Sequence, residues 1–353
     1  MNKPIMFYHV DTSNRGDWAI KKSIVEAISK YIDVPFSFFS VKNDELTEQR
    51  ILKQLNTDCS VLMVAGSGLY TNYPKSSGWY FPCSTNLFEK IKVPIILFGL
   101  GNNQNLRGNV LNDELKDETK KSIKLINDLA IVSTVRDKRT FNMLNNLGIT
   151  KCKLLLDPGN FLEVPKVKKE KRVAIQIAQH APILGRFDGT TELRTYNVNA
   201  YAEISNYLIS RGYSVVFISH DALENSLIVD LKKLVPELEY LNSDNLDEML
   251  KEYAKCQFSI GMKMHSNIMS FAAGTPFISV YYDVKTLEYL KMINWDYKVC
   301  VFDKYQDDLK WEVDYMISEI EEKITIFENL KLQHQPMFDK EIKNICNIIK
   351  TNE

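Results

Sequence analysis

The sequence predicts an α/β chain of two domains, each built on a parallel, doubly wound sheet. Short apolar runs alternate with helix-period segments along most of the chain, and that alternation is the pattern of repeated βα units. With 353 residues, of which 45% are hydrophobic and 25% charged, the chain can fill two cores of ordinary size. The apolar runs end in turns rich in Gly, Asp, Asn and Ser, and open α/β sheets bind ligands at the carboxyl ends of their strands.

Residues 4–10 are the first apolar run, followed by a polar loop and by a helical pattern through Ile24, Val25, Ile28 and Tyr31. Strand candidates recur at 35–39, 60–65, 94–99, 130–134 and 153–156, mostly separated by amphipathic helices. The tract 163–171 carries Pro165 among lysines and glutamates with no core periodicity, which reads as an interdomain linker. The expected domains are therefore 1–165 and 166–353. The second opens with a strand at 172–178 and a long polar loop at 179–199, a candidate lid. Then come a helix at 201–210, a strand at 213–219, and helices at 222–234 and 246–254. After a strand at 298–302 the chain ends in a helical tail, at 307–332 and again near 338–349, long enough to pack back onto the first domain.

The stretch 256–285 is the most informative. An apolar strand ends at Gly261, and Lys263, His265, Ser266 and Asn267 open an apolar helix that closes at Gly274-Thr275-Pro276. A helix amino terminus at a strand's carboxyl end attracts anions. The next strand runs into Tyr281-Tyr282-Asp283-Val284-Lys285, which brings a second lysine to the same sheet edge.

A formal charge of −1 gives no global basic field, so no nucleic acid is expected as a partner. Any anion must be met by a local cluster. The six cysteines are scattered with no C-x-x-C pair and read as reduced core residues. The amino terminus has no secretory pattern, and no apolar run approaches the ~20 residues a membrane span needs. A cytoplasmic protein without a transmembrane segment is expected, with peripheral membrane contact left open. No histidine pair has zinc-ligand spacing, so no metal is expected.

Other motifs admit a structural and a functional reading. In Asn14-Arg15-Gly16-Asp17 the polar side chains can cap the following helix, or Asp17 can orient or deprotonate a sugar hydroxyl. Gly66-Ser67-Gly68 and Gly99-Leu100-Gly101-Asn102-Asn103 follow strands without continuing into a dinucleotide fingerprint. Their glycines serve either tight turning or close backbone approach to a ligand. Arg136 and Arg139 lie where a strand passes into a helix, on a solvated face or, for Arg136, as a fork for carboxylate or phosphate. His220 ends a strand before Asp221, and catalysis and strand termination both fit. Tyr70, Tyr73, Trp79, Tyr80 and Phe81 can stack on sugar rings or pack on one another.

These pieces occur in one order. Asn14 to Ile20, Val135-Arg136-Asp137, Leu156-Asp157-Pro158, Ser219-His220-Asp221, Ile260 to Ser266, and Ala273 to Lys285 together resemble the polysaccharide pyruvyl transferase family. The resemblance runs from about residue 5 to about residue 300. Lys263 stands where the family usually has arginine, which keeps the charge and loses the planar fork.

The resemblance implies two Rossmann-like domains in a glycosyltransferase-B-like arrangement, the first on the acceptor side and the second, with its helical tail, on the donor side. It implies phosphoenolpyruvate as donor substrate, with no cofactor, and a glycan or lipid-linked saccharide as acceptor. The product is a pyruvate ketal bridging two hydroxyls of one sugar, with phosphate released. Under it, His265, Asp17 and His220 are the catalytic candidates. Arg136, Lys263, Lys285, Asn14, Ser266, Gly66 and Gly101 are the substrate-binding candidates. Two other readings fit the same architecture: a nucleotide-sugar-dependent glycosyltransferase or epimerase, and a non-catalytic glycan-binding relative.

Overall fold

The computed structural model describes residues 2–11, 14–42, 46, 49–81, 83–102, 114–178, 190–301 and 305–352, without the side chains of 190–193. Its contacts divide into two compact units. Unit 1 holds Met1–Thr12, Ile20–Pro158 and His334–Glu353, and unit 2 holds Ser13–Ala19 and Gly159–Gln333. The expected split at 165/166 thus falls earlier in the observed division, and two short segments are exchanged. Residues 13–19 lie with the second half of the chain, and the last twenty residues lie with the first.

Unit 1 is built on β1 (Ile5–His9), β2 (Phe36–Ser40), β3 (Val61–Ala65), β4 (Ile95–Leu100), β5 (Val132–Val135) and β6 (Lys153–Leu154). All its pairings are parallel, in the order β2-β1-β3-β4-β5-β6. Every residue of β3 and β4 is buried, as expected of parallel strands covered on both faces. The connecting helices are α1 (Arg15–Ser29), whose first residues belong to unit 2, α2 (Gln49–Asp58), α3 (Asp117–Leu129) and α4 (Lys138–Asn146). Asp137 starts α4 by accepting from the Thr140 amide at 2.7 Å. The carboxyl-terminal segment belongs here because Phe338 packs on Phe98, with ring centroids 6.1 Å apart, and Glu341 pairs with Lys153 at 2.6 Å.

Unit 2 contains β7 (Glu170–Gln176), β8 (Ser214–Ile218), β9 (Glu239–Leu241), β10 (Cys256–Gly261), β11 (Phe277–Tyr281) and β12 (Lys298–Cys300). They are also all parallel, in the order β12-β11-β10-β7-β8-β9. The order reverses between β7 and β10, which pair Gln176 with Gly261 at their ends. Such a switch point is where doubly wound sheets bind ligands. The helices are α5 (Thr190–Ser210), α6 (Asn225–Leu234), α7 (Leu246–Lys255), α8 (Met264–Ala272), α9 (Val284–Met292), α10 (Gln306–Ser318) and the start of α11 (Ile320–Lys350). All of α8 is buried, and burying each of its larger apolar side chains stabilises by about 1.5–3 kcal/mol. Phe271 meets Phe327 of α11 at 5.3 Å between centroids.

Several expectations change. The polar loop placed at 179–199 is helical from Thr190, and residues 179–189 lie outside the described residues. The strand β9 lies where no strand was expected, while the two tail helices meet in α11, which runs through Pro336. Lys285 is the second residue of α9 and not the end of a strand. Asn103 of the second glycine turn, Thr12 and Ser13 before Asn14, and Phe302 at the last strand's end also lie outside the described residues. Cys59, Cys83, Cys152, Cys256 and Cys346 are buried, Cys300 is half-buried, and all are free thiols.

Candidate functional site

In unit 2, Lys263 stands between β10 and α8, at the helix's N-cap, without capping it by its side chain. Its amide donates to Gln176 Oε1 at 2.9 Å. Its Nζ lies 2.5 Å from Glu224 Oε1 and 3.8 Å from Asp221 Oδ2. Glu224 is fully buried. Its Oε1 also accepts from Gln176 Nε2 at 2.9 Å, and its Oε2 from the His220 amide at 2.8 Å. Burial pushes the Glu224 carboxyl up from the ordinary glutamate value, outweighing the pull of Lys263.

Gly261 makes this turn possible, because a β-carbon there would lie 2.2 Å from Ser266 Oγ and 2.6 Å from Asn267 Oδ1. Ser266, expected to bind substrate, is buried and donates its hydroxyl to Lys263 O at 2.7 Å. Asn267 reaches Ser279 Oγ of β11 at 2.8 Å. Both tie the turn down.

The loop before α1 comes to the same place. Asn14 Oδ1 accepts from the Gly16 amide at 3.1 Å, so the capping reading holds for Asn14. Asp17 lies in the first turn of α1, buried. The Arg15 amide donates to His220 O at 2.9 Å. Its guanidinium reaches Ser243 O at 3.2 Å, pairs with Asp244, and lies over the Trp18 ring. Gly16 lies against His265, the second residue of α8, which keeps 9% of its surface exposed.

His220 has no exposed surface, and its Nε2 lies 2.8 Å from Tyr253 OH. Burial first, then the charges of Lys263 and Arg15, hold its pKa well below the ordinary histidine value. The ring is therefore neutral at pH 7. Its backbone joins the Arg15 loop to Glu224, so its place is in the frame of the site. Lys285 lies one strand further along the sheet, 3.3 Å from Asp283 Oδ2. Asp283 caps α9 through the Thr286 amide and hydroxyl at 2.9 and 2.6 Å. Asn14, Asp17, His220, Lys263, His265 and Ser266 thus gather round the ends of β8 and β10, with Lys285 after β11.

Unit 1 holds the remaining candidates. Arg136 follows β5 and pairs with Asp157 at 2.8 Å, both buried. Its amide donates to Leu100 O at 3.1 Å. A β-carbon on Gly101 would stand 2.7 Å from Arg136 Nε, so that glycine serves close approach of the guanidinium. Gly66 has φ +69°, and a β-carbon there would meet Ile20 at 2.5 Å. The Gly101 amide donates to Ser67 O at 2.9 Å, tying the two glycine turns together.

Of the two readings of the aromatic cluster at 70–81, the packing one holds for Tyr70, Trp79 and Phe81. Tyr70, Trp79 and Phe81 are fully buried in the unit 1 core, with Trp79 Nε1 donating to Ser122 Oγ at 3.0 Å. Apolar rings near a loop found a core before they found solvent. Residues that sequence reasoning missed are Glu224, Gln176 and Tyr253. A glutamate four residues after His220 at a strand end was the one available signal. Among the described residues, no group of three or more His, Cys, Asp or Glu gathers as a metal site, and no helix is long and apolar enough to cross a membrane.

Solved structures share this architecture. A UDP-GlcNAc 2-epimerase from Neisseria meningitidis, bound to UDP-GlcNAc, aligns over all of both chains with a TM-score of 0.58 at 10% identity. The enzyme of that name from Methanocaldococcus jannaschii aligns over 89% of this chain and 92% of its own, with a TM-score of 0.53 at 10% identity. The pneumococcal O-GlcNAc transferase GtfA, in complex with UDP and GlcNAc, aligns over 84% of this chain and 59% of its own, with a TM-score of 0.51 at 11% identity. Two Rossmann-like domains of the glycosyltransferase-B-like class are therefore the fold, and at these identities the likeness shows the fold alone. The sequence profile of the polysaccharide pyruvyl transferase family matches residues 14–284, and the chain belongs to that family. The amylovoran biosynthesis protein AmsJ of Erwinia amylovora is 26% identical over 188 residues. That match spans 45% of this chain and 44% of AmsJ, so the chain covers less than half of this relative's length.

Proposed function

We propose that this protein transfers the enolpyruvyl group of phosphoenolpyruvate to two hydroxyls of one sugar in a glycan or lipid-linked precursor. Protonation of the donor's methylene carbon makes C2 an oxocarbenium-like electrophile. Both sugar oxygens then bond to C2 and the C2–O bond to phosphate breaks. Of the two hydroxyl protons lost, one balances the new methyl group and the other leaves with phosphate. No cofactor or metal is required.

The observation that carries this reading is the Lys263–His265 turn at the switch point of the unit 2 sheet. It places an ammonium and an imidazole at the start of a buried helix, where an anion is favoured. In this reading Lys263 and Lys285 meet the donor's charges and His265 supplies a proton or contacts the phosphate. Asp17 serves the acceptor hydroxyls, and His220 acts through the residues it holds. The family match and the partial likeness to a polysaccharide-biosynthesis protein support it. Phosphoenolpyruvate is made in the cytoplasm, which is where the reading locates the protein.

The test is to incubate the protein with phosphoenolpyruvate and candidate saccharides, and separately with nucleotide sugars. Phosphate release that depends on the saccharide is expected. Turnover of a nucleotide sugar, with none of phosphoenolpyruvate, overturns the proposal.

A further inference from the structure

We infer that Glu224 is the positioning residue that aims Lys263, by locking its ammonium to a carboxylate that also ties together the ends of three strands. This rests on the reading of Lys263 as a donor contact. An ammonium on a four-carbon stem has no fixed direction, unlike a guanidinium fork. Something must hold it.

Glu224 is built for that task. Its Oε1 meets Lys263 Nζ at 2.5 Å and Gln176 Nε2 at 2.9 Å, while its Oε2 takes the His220 amide at 2.8 Å. Gln176 ends β7, His220 follows β8 and Lys263 follows β10. One carboxylate therefore joins the carboxyl ends of three strands at the switch point. Gln176 closes the ring a second time, since its Oε1 accepts the Lys263 amide at 2.9 Å. The backbone and side chain of Lys263 are thus fixed from the same pair of residues. The Glu224 side chain keeps 1% of its surface and that of Lys263 keeps 17%. The carboxylate is sealed from a ligand, whereas the Lys263 side chain keeps part of its surface open. That asymmetry separates a residue that positions from one that binds.

Lys263 is not held by charge alone. Asp221 Oδ2 lies 3.8 Å from Nζ, beyond hydrogen-bond reach, and caps the short helix at 222–224 through the Leu223 amide. Removing the Glu224 charge leaves Asp221 to attract the ammonium without directing it.

The test is a double-mutant cycle in the full chain with Glu224→Gln, Lys263→Met and the double variant. Two readouts are used: midpoints of urea unfolding, and the dissociation constant for phosphoenolpyruvate, with kcat and KM where turnover is found. Glu224→Gln is expected to weaken phosphoenolpyruvate binding 10-fold or more and to raise KM more than it lowers kcat. In the Lys263→Met background the same change is expected to alter binding less than 2-fold, and the unfolding midpoints are expected to be non-additive. A single variant that fails to fold while the double variant folds supports the pair in the same way, because an unpaired buried charge is what destabilises. Additive effects in both readouts, or unchanged binding in Glu224→Gln, overturn the role of Glu224. If the wild-type protein does not bind phosphoenolpyruvate, the proposed donor fails, and the unfolding cycle alone decides the pairing.

Discussion

A β-carbon on Gly16 would stand 2.0 Å from Nδ1 of His265 and 2.4 Å from its Cβ. Residues 249 positions apart are in contact closely enough that only glycine fits, and the start of α8 is thereby held against the first turn of α1. Gly16→Ala is expected to displace the imidazole and to lower transfer on the order of 10²-fold, the effect of a roughly 1 Å misplacement. Stability is expected to fall by about 1–3 kcal/mol. Steady-state phosphate release and urea unfolding read the two effects, and full activity in the variant would contradict the placement of His265.

Arg136 and Asp157 form a buried pair at 2.8 Å in unit 1. Asp157→Ala leaves a buried guanidinium without this partner and is expected to cost about 3–5 kcal/mol. Replacing both residues by apolar ones of similar size is expected to recover much of that loss. Urea unfolding of the two variants checks this, and equal losses in both would contradict it.

The strands were legible because parallel strands covered on both faces are uninterrupted apolar runs, as Val61–Ala65 and Ile95–Leu100 are. β9 was not, since Glu239–Leu241 is three residues long with only one side chain of strong strand preference. The first turns of α5, Thr190 to Asn199, carry few apolar residues and so show no stripe. Lys263 and His265 stood out as charges at a strand end. Glu224 did not, because a glutamate in a helical stretch reads as solvent-facing until the partners that bury it are known. Lys285 was legible as a cation near the sheet edge, while its pairing with Asp283 depends on where α9 begins.

Trp79→Ala is expected to destabilise the protein by about 3–5 kcal/mol, since the ring is fully buried and its Nε1 is bonded to Ser122. At temperatures where the variant is folded, the KM for the acceptor is expected to be unchanged. A rise in acceptor KM with stability intact would restore a sugar-stacking role.

The folded protein holds His220 neutral, with its pKa well below 6.5, whereas the unfolded ring takes a proton near ~6.5. Unfolding below that pH therefore takes up a proton. Stability from this group is full above about pH 6.5 and falls as the pH drops, by up to about 1.4 kcal/mol per pH unit. His9 and His334 are shifted in the same direction, also chiefly by burial. His220→Gln is expected to show a shallower loss of stability between pH 6.5 and 5 than the wild type, read from urea midpoints. Identical slopes would contradict a neutral buried His220.

The most direct measurement supplies phosphoenolpyruvate labelled with ¹³C at C2 and a saccharide acceptor, and follows the label by NMR alongside released phosphate. The account predicts a ketal carbon on the saccharide, one phosphate for each ketal formed, and loss of both signals in Lys263→Ala and His265→Ala variants that still fold. Ketal formation undiminished in both variants, or phosphate release with no label on the saccharide, would contradict it.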